Sequence, residues 1–155
     1  MAANGFEWRY NISGGRPLIL TFAMKDTETL TRGDMMNIES GEADLAVTTD
    51  AVIAGIFVGP ENPNDATDGS PGIVAGTDST TIVKVLVNPD AVYADANDTV
   101  ARLAGALLDI SGATGAQTVA ASSNTEFVVV ERKRQSSDET RLQICSSAHY
   151  LAKAQ

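Results

Sequence analysis

The chain has 155 residues and a formal net charge of −9, with 11 basic against 20 acidic side chains. Binding to nucleic acid or to anionic lipid depends on clustered Lys and Arg, so this balance argues against both as partners. Hydrophobic residues make up 43 % of a length that suits one ordinary domain, which indicates a folded, soluble protein rather than a disordered one.

Within the N-terminal residues 1–17, hydrophobic and polar side chains alternate over 6–12, between two stretches that contain glycine. Phe6, Trp8, Tyr10 and Ile12 occupy every second position, which predicts that they share one face of an extended strand. Two interpretations fit: an edge strand that packs on the protein's own core, or an arm that docks on a partner. The arm interpretation predicts a partner-binding set of Phe6, Trp8, Arg9, Tyr10, Ile12 and Arg16, in which Trp and Tyr are typical interface anchors.

Short hydrophobic runs separated by turn residues follow in the first half of the chain. They predict four strands, over residues 18–24, 35–38, 43–47 and 51–58. The polar residues 25–34 are predicted to connect the first two strands. With a tight turn at Ser40 and Gly41 and a polar turn at 48–50, the last three strands are predicted to form a meander.

Residues 59–72 are predicted to form a loop, because they are rich in Pro, Gly and acidic side chains. An EF-hand needs oxygen ligands at alternate positions and a Glu at the twelfth. Counted from Asn64, the third and twelfth positions are Ala66 and Ala75. We therefore expect no calcium site in this loop.

The second half of the chain is predicted to hold further strands and one candidate helix. Strands are predicted over residues 72–76, 80–88, 126–134 and 140–148, the last two pairing antiparallel with each other. Hydrophobic residues at helical spacing favour a helix with Asp98 as its N-cap, and they are Val100, Leu103, Ala104, Leu107 and Leu108. Gly105 in the middle disfavours this helix by about 1 kcal/mol.

Strands that recur every eight to twelve residues or so, with turn residues between them, predict a mainly β protein. We expect a small antiparallel β-barrel or β-sandwich with an extended N-terminal arm and at most one or two short helices. The predicted organisation is an arm over 1–17, a β-barrel domain over 18–145 and a C-terminal tail over 146–155.

The inventory of reactive side chains is small. His149 is the only histidine and Cys145 the only cysteine, so a catalytic triad or a zinc site lacks its usual partners. Neither a phosphate-binding loop nor a dinucleotide fingerprint is present. We therefore predict no catalytic residues, no metal, no cofactor and no enzyme activity, and we interpret His149 as an ordinary tail residue.

Arg32, Gly33 and Asp34 form the tripeptide that cell-adhesion ligands carry. One cysteine provides no disulfide framework, the start of the chain does not have the pattern of a signal peptide, and no hydrophobic run approaches about 20 residues. We expect no secretion and no membrane span, and we interpret the tripeptide as a turn in which Gly33 reverses the backbone and Asp34 accepts backbone N–H groups.

The order of turns and strands over 30–59 resembles the small β-barrel module of tailed-bacteriophage head proteins that bind the outside of the capsid, called decoration or cement proteins. Residues 80–94, 103–110 and 124–133 are similar to later segments of that module, so the resemblance covers roughly 18–145. It favours a strand over 103–110, in place of the helix.

The resemblance implies a structural protein without enzyme activity. Such proteins are made in the host cytoplasm and sit on the virion as oligomers, often homotrimers, at junctions between major capsid proteins. Their terminal arms commonly carry the contacts. Two alternatives stay open: a carbohydrate-recognition β-sandwich at a virion or cell surface, with loops such as 59–72 carrying the site, and a hydrolase that uses a carboxylate pair.

Overall fold

The computed structural model describes residues 5–25, 28–50, 52–66, 73–75, 81–121, 125–131 and 138–153. These residues form thirteen strands, one turn of 3-10 helix (Pro63–Asp65) and one turn of α-helix, α1 (Tyr150–Lys153). The strands are β1 (Phe6–Asn11), β2 (Ile19–Met24), β3 (Thr29–Thr31), β4 (Met35–Glu39), β5 (Glu42–Leu45), β6 (Gly55–Pro60), β7 (Ile73–Ala75), β8 (Ile82–Leu86), β9 (Ala91–Asp95), β10 (Leu107–Ser111), β11 (Thr118–Ala120), β12 (Phe127–Val129) and β13 (Thr140–Ile144). The mainly β fold class is confirmed.

The described strands form a closed barrel, a sheet and a separate pair. The barrel has the order β2-β5-β4-β6-β8, the six-stranded sheet has the order β1-β9-β13-β12-β10-β11, and β3 pairs with β7. All pairs are antiparallel except β2 with β5, which run parallel. Within the described residues, no helix is long and hydrophobic enough to cross a bilayer.

The predicted meander is wrong in its pairing. β4 and β5 form the expected hairpin, with Ser40 at φ 53° and Gly41 at φ 84° in the turn. β6 then pairs with β4 rather than β5, with Met36 opposite Gly55. The physical reason is that the other edge of β5 is occupied by β2, and this parallel pair closes the barrel.

Barrel strand β6 is buried on both faces, which explains its uninterrupted hydrophobic run. One set of side chains lies in the core that the barrel strands enclose, and it includes Met36, Phe57, Val83 and Val85. Neighbouring residues in the same strands pack instead with the six-stranded sheet, and they include Met35, Ile56 and Leu86. The barrel and the sheet therefore share a core.

The helix predicted around Val100–Leu108 is absent, and the strand that the resemblance favours is present as β10. Val100 is 51 % exposed and Leu103 is 68 % exposed, so their helical spacing does not mark a buried face. Asp98 accepts the Val100 N–H at 3.2 Å and pairs with Arg102, which stabilises a turn instead. Strand β3 lies within the segment predicted as a connection, and β9 and β11 were also not predicted.

The described part of the predicted C-terminal tail packs on the rest of the protein. Ala148 and His149 are buried, and His149 forms a parallel bridge with Ile53. The ring of Tyr150 meets Phe22 edge-on at 5.9 Å. These contacts hold the described part of 146–153 against the barrel.

Candidate functional site

Phe6 belongs to the protein's own core and is not available to a partner in this structure. It is 1 % exposed and stacks on Phe127 with ring centroids 5.9 Å apart. Strand β1 forms the edge of the six-stranded sheet through antiparallel pairing with β9. Of the two interpretations of this stretch, the edge strand is the one that the structure shows for Phe6–Asn11, and Phe6 as a partner anchor is corrected.

A β-bulge separates the predicted row of aromatic side chains. Trp8 lies opposite Tyr93, whereas Tyr10 lies opposite Val92, so the extra residue Arg9 moves Tyr10 to the other face of the sheet. Trp8 is half-buried, packs on the core and donates its indole N–H to Asn11 Oδ1 at 3.0 Å. The expectation of a single aromatic face is therefore wrong.

Arg9 lies on the surface in a small ion-pair group. Its guanidinium contacts Glu139 at 2.5 Å and Glu7 at 2.7 Å. These hydrogen bonds lower the pKa of the Glu139 carboxyl. Arg9 thus has acidic partners within its own chain.

Residues 12–19, which we call the linker segment, join the sheet to the barrel and expose hydrophobic side chains. Ile12 is 58 % exposed, Leu18 42 % and Ile19 46 %, and Arg16 is also exposed. Polar contacts fix the backbone beneath them, because the Asn11 amide donates to the carbonyls of Gly15 and Arg16 at 3.0 and 3.1 Å. The segment therefore presents hydrophobic side chains on a backbone that is already ordered.

The linker segment is also tied to the turn between β8 and β9. The Ser13 N–H donates to Asp90 at 2.8 Å, and hydrogen bonding from Ser13 lowers the pKa of the Asp90 carboxyl. Asn88 accepts the Leu18 N–H and donates to the Arg16 carbonyl. Because the linker segment is already ordered, binding a partner here would cost it little conformational entropy, which favours affinity.

Arg32, Gly33 and Asp34 form a turn, as predicted. Gly33 has φ 94°, and Asp34 is fully buried. The Asp34 carboxylate accepts the Thr31 N–H at 2.8 Å, the Thr114 hydroxyl at 2.6 Å and the Gly115 N–H at 2.8 Å. Since its oxygens are directed into the protein, this carboxylate is inaccessible to a receptor.

We expect Asp34→Ala to lower the free energy of unfolding by about 2–3 kcal/mol, because it leaves the part-buried N–H groups of Thr31 and Gly115 and the Thr114 hydroxyl without this acceptor. Urea denaturation of the variant at neutral pH measures this loss. Glu61→Ala, which removes an exposed carboxylate, is the control, with an expected change of about 0.5 kcal/mol or less. A carboxylate that served only as an external ligand would give equal stability in both variants.

Two other buried polar side chains, not predicted from the sequence, hold the segment around 117–119 in place. Gln117 accepts the Met35 N–H at 2.5 Å and donates to the Ala46 carbonyl at 2.9 Å. Asp95 accepts the Thr118 hydroxyl at 2.7 Å and the Val119 N–H at 3.0 Å. Asp95 thereby joins β9 to the edge strand β11, so the six-stranded sheet curls back on itself.

His149 and Cys145 lie on the packed C-terminal segment. Burial lowers the pKa of His149, and its Nδ1 accepts the Leu151 N–H at 3.1 Å. Burial and the Glu126 carboxyl raise the pKa of the Cys145 thiol, which disfavours the reactive thiolate. Among the residues that the structure describes, no three His, Cys, Asp or Glu side chains are grouped to hold a metal ion.

The linker segment is the candidate functional site, because it combines exposed hydrophobic side chains with an ordered backbone. It retains Ile12 and Arg16 of the predicted partner-binding set and adds Leu18 and Ile19, which the sequence did not single out. Comparison with family models, curated proteins and solved structures finds no match for this chain.

Proposed function

We propose that this protein is a decoration protein of tailed-bacteriophage heads, which binds the outer capsid surface at junctions between major capsid proteins and stabilises the shell. It acts without enzyme activity, as a homo-oligomer for which a trimer is favoured. The sequence resemblance over roughly 18–145 supports this proposal, and a mainly β fold with a small closed barrel is compatible with it.

The observation that carries the proposal is the exposure of Ile12, Leu18 and Ile19 on the ordered linker segment. Large hydrophobic side chains that are exposed together on one short segment are typical of surfaces that bind another protein, whereas single exposed ones are ordinary. The net charge of −9 keeps the free protein dispersed until it meets its partner. Arg16 supplies a cation at the same segment for an acidic group of the capsid.

We expect the double variant Ile12→Asp, Leu18→Asp to fold normally and to bind expanded, empty phage heads at least about tenfold more weakly. Two charged side chains at a hydrophobic contact cost more than the 1.4 kcal/mol that corresponds to a factor of ten. Co-sedimentation of the purified protein with heads that lack it measures the affinity.

The matched control is Leu103→Asp, which introduces the same charge at a side chain that is 68 % exposed in the segment before β10. Its head binding should equal that of the wild type. A loss in Leu103→Asp and none in the double variant would place the contact elsewhere. No binding to heads by the wild type, together with binding to a glycan array, would replace the proposal by carbohydrate recognition.

A further inference from the structure

Asp109 and Glu126 face each other inside the six-stranded sheet. β10 and β12 are antiparallel with Leu108 opposite Phe127, and the same register places Asp109 opposite Glu126. Side chains at directly opposed positions of an antiparallel pair lie on the same face, about 5 Å apart at Cβ. Asp109 is fully buried and Glu126 is 4 % exposed, so the two carboxyl groups meet out of water.

Each of these carboxyl groups has one oxygen without a partner. Asp109 Oδ1 accepts the Ile110 N–H at 2.7 Å, but Asp109 Oδ2 and Glu126 Oε2 have no hydrogen-bond partner among the described residues. Two buried carboxylates at this separation would repel each other, and their unpaired oxygens would add a desolvation cost. One proton between them removes both penalties, because a carboxylic acid donates to the neighbouring carboxylate.

The surroundings favour the protonated form of the pair. In the described part of the chain, the ion pairs formed by Lys and Arg involve other carboxylates. Burial, then Asp109 and, least, the negative charge of Asp50 raise the pKa of Glu126 to about 8. On the C-terminal segment, the raised pKa of Cys145 and the lowered pKa of His149 keep both groups neutral near pH 7.

We propose that Asp109 and Glu126 share one proton at neutral pH and form a pH-sensitive tie between β10 and β12. When the proton leaves to bulk water at alkaline pH, two carboxylates face each other and the pair of strands is loosened. Asp109 also pairs with Ala120 on β11, so the effect extends over three neighbouring strands.

The pH dependence of stability follows from linkage. A carboxyl whose pKa is raised by folding holds a proton in the folded state that the unfolded chain has already lost. Its stabilising contribution is complete below the unfolded value, 4.5 for Glu, and declines as pH rises through the folded value of about 8. Burial and Asp44 raise the pKa of Glu28 to about 6. As pH rises, the stabilising contribution of Glu28 is therefore already largely lost when pH 7 is reached.

The test measures melting temperature between pH 6.5 and pH 9 for the wild type, Glu126→Gln and Asp109→Asn. We expect the wild type to lose about 5 °C more than Glu126→Gln over this range, since Gln keeps a donor to Asp109 but does not titrate. Glu61→Gln, at an exposed position, is the matched control and should retain the wild-type slope.

Carbon-detected NMR of the side-chain carboxyls of the wild type gives an independent readout that needs no variant. We expect the Glu126 carboxyl carbon to titrate above pH 7. Titration of Glu126 below about pH 5, like an ordinary carboxylate, would overturn the shared proton. An equal pH slope in the wild type and Glu126→Gln would equally exclude it.

Discussion

Gly55→Ala should leave little folded protein, with a loss of about 4 kcal/mol or more in the free energy of unfolding. Such losses are exceptional for single substitutions and a large part of the total stability of a domain. Gly55 has φ 148°, and a Cβ there would lie 1.7 Å from the carbonyl oxygen of Leu86 and 3.1 Å from the hydroxyl of Tyr93. Backbone atoms cannot yield to this contact without separating β6 from β8.

The position of Gly55 explains why the effect extends beyond one strand. Tyr93 is buried and belongs to the six-stranded sheet, whereas Leu86 ends a barrel strand. A side chain at Gly55 would push these elements apart where the barrel meets the sheet. The shared core would open along this contact.

Gly105→Ala is the matched control for Gly55→Ala. Gly105 has φ 84°, but a Cβ there meets nothing within 4 Å, so only the backbone penalty of about 1–2 kcal/mol applies. Circular dichroism and urea denaturation compare the two variants. Equal stability would show that the close approach of β6 to Leu86 and Tyr93 does not exist in solution.

The sequence predicted those parts of the fold that depend on local chemistry. β8 and β12 lie in runs of branched residues, and the Ser40 and Gly41 turn has the residue types that positive φ requires. The turn at Gly33 was predicted for the same reason. The antiparallel pairing of β12 with β13 was also predicted, because only a short polar connection separates them.

Features that depend on distant parts of the chain were not predicted. The pairing of β6 with β4 depends on β2 occupying the far edge of β5, which no local pattern encodes. The spacing of Val100 and Leu103 is typical of a buried helix face, yet both are exposed. Asp95 and Gln117 are buried by partners far away in sequence, and nothing distinguishes them from the other polar residues before folding.

The candidate site was predicted in part, and the reason is again geometric. Alternation correctly indicated a strand at Phe6–Asn11, but it could not reveal the bulge that turns Tyr10 away from Trp8. Nor could it decide whether the hydrophobic face packs on its own core or on a partner. Ile12 lies beyond the end of β1, where the alternation no longer describes a sheet face, and it is exposed.

Phe6→Ala should lower the free energy of unfolding by about 3–4 kcal/mol, because removing a buried aromatic ring loses its transfer free energy and leaves a cavity. For a chain of this size that corresponds to a fall of roughly 10 °C in melting temperature. The ring packs on Phe127, in the middle of the core shared by the barrel and the sheet. The loss should therefore appear in global unfolding and not in a local transition at the N-terminus.

Ile12→Ala is the matched control for Phe6→Ala, since it removes a hydrophobic side chain that is 58 % exposed in the adjoining segment. Its stability should change by about 0.5 kcal/mol or less. If the proposed function holds, the two variants should also separate in head binding: Ile12→Ala should weaken it, whereas folded Phe6→Ala should bind like the wild type because Phe6 is buried. If Phe6→Ala kept its melting temperature and lost head binding, β1 would be a docking arm in solution, and its place at the edge of the sheet would be wrong.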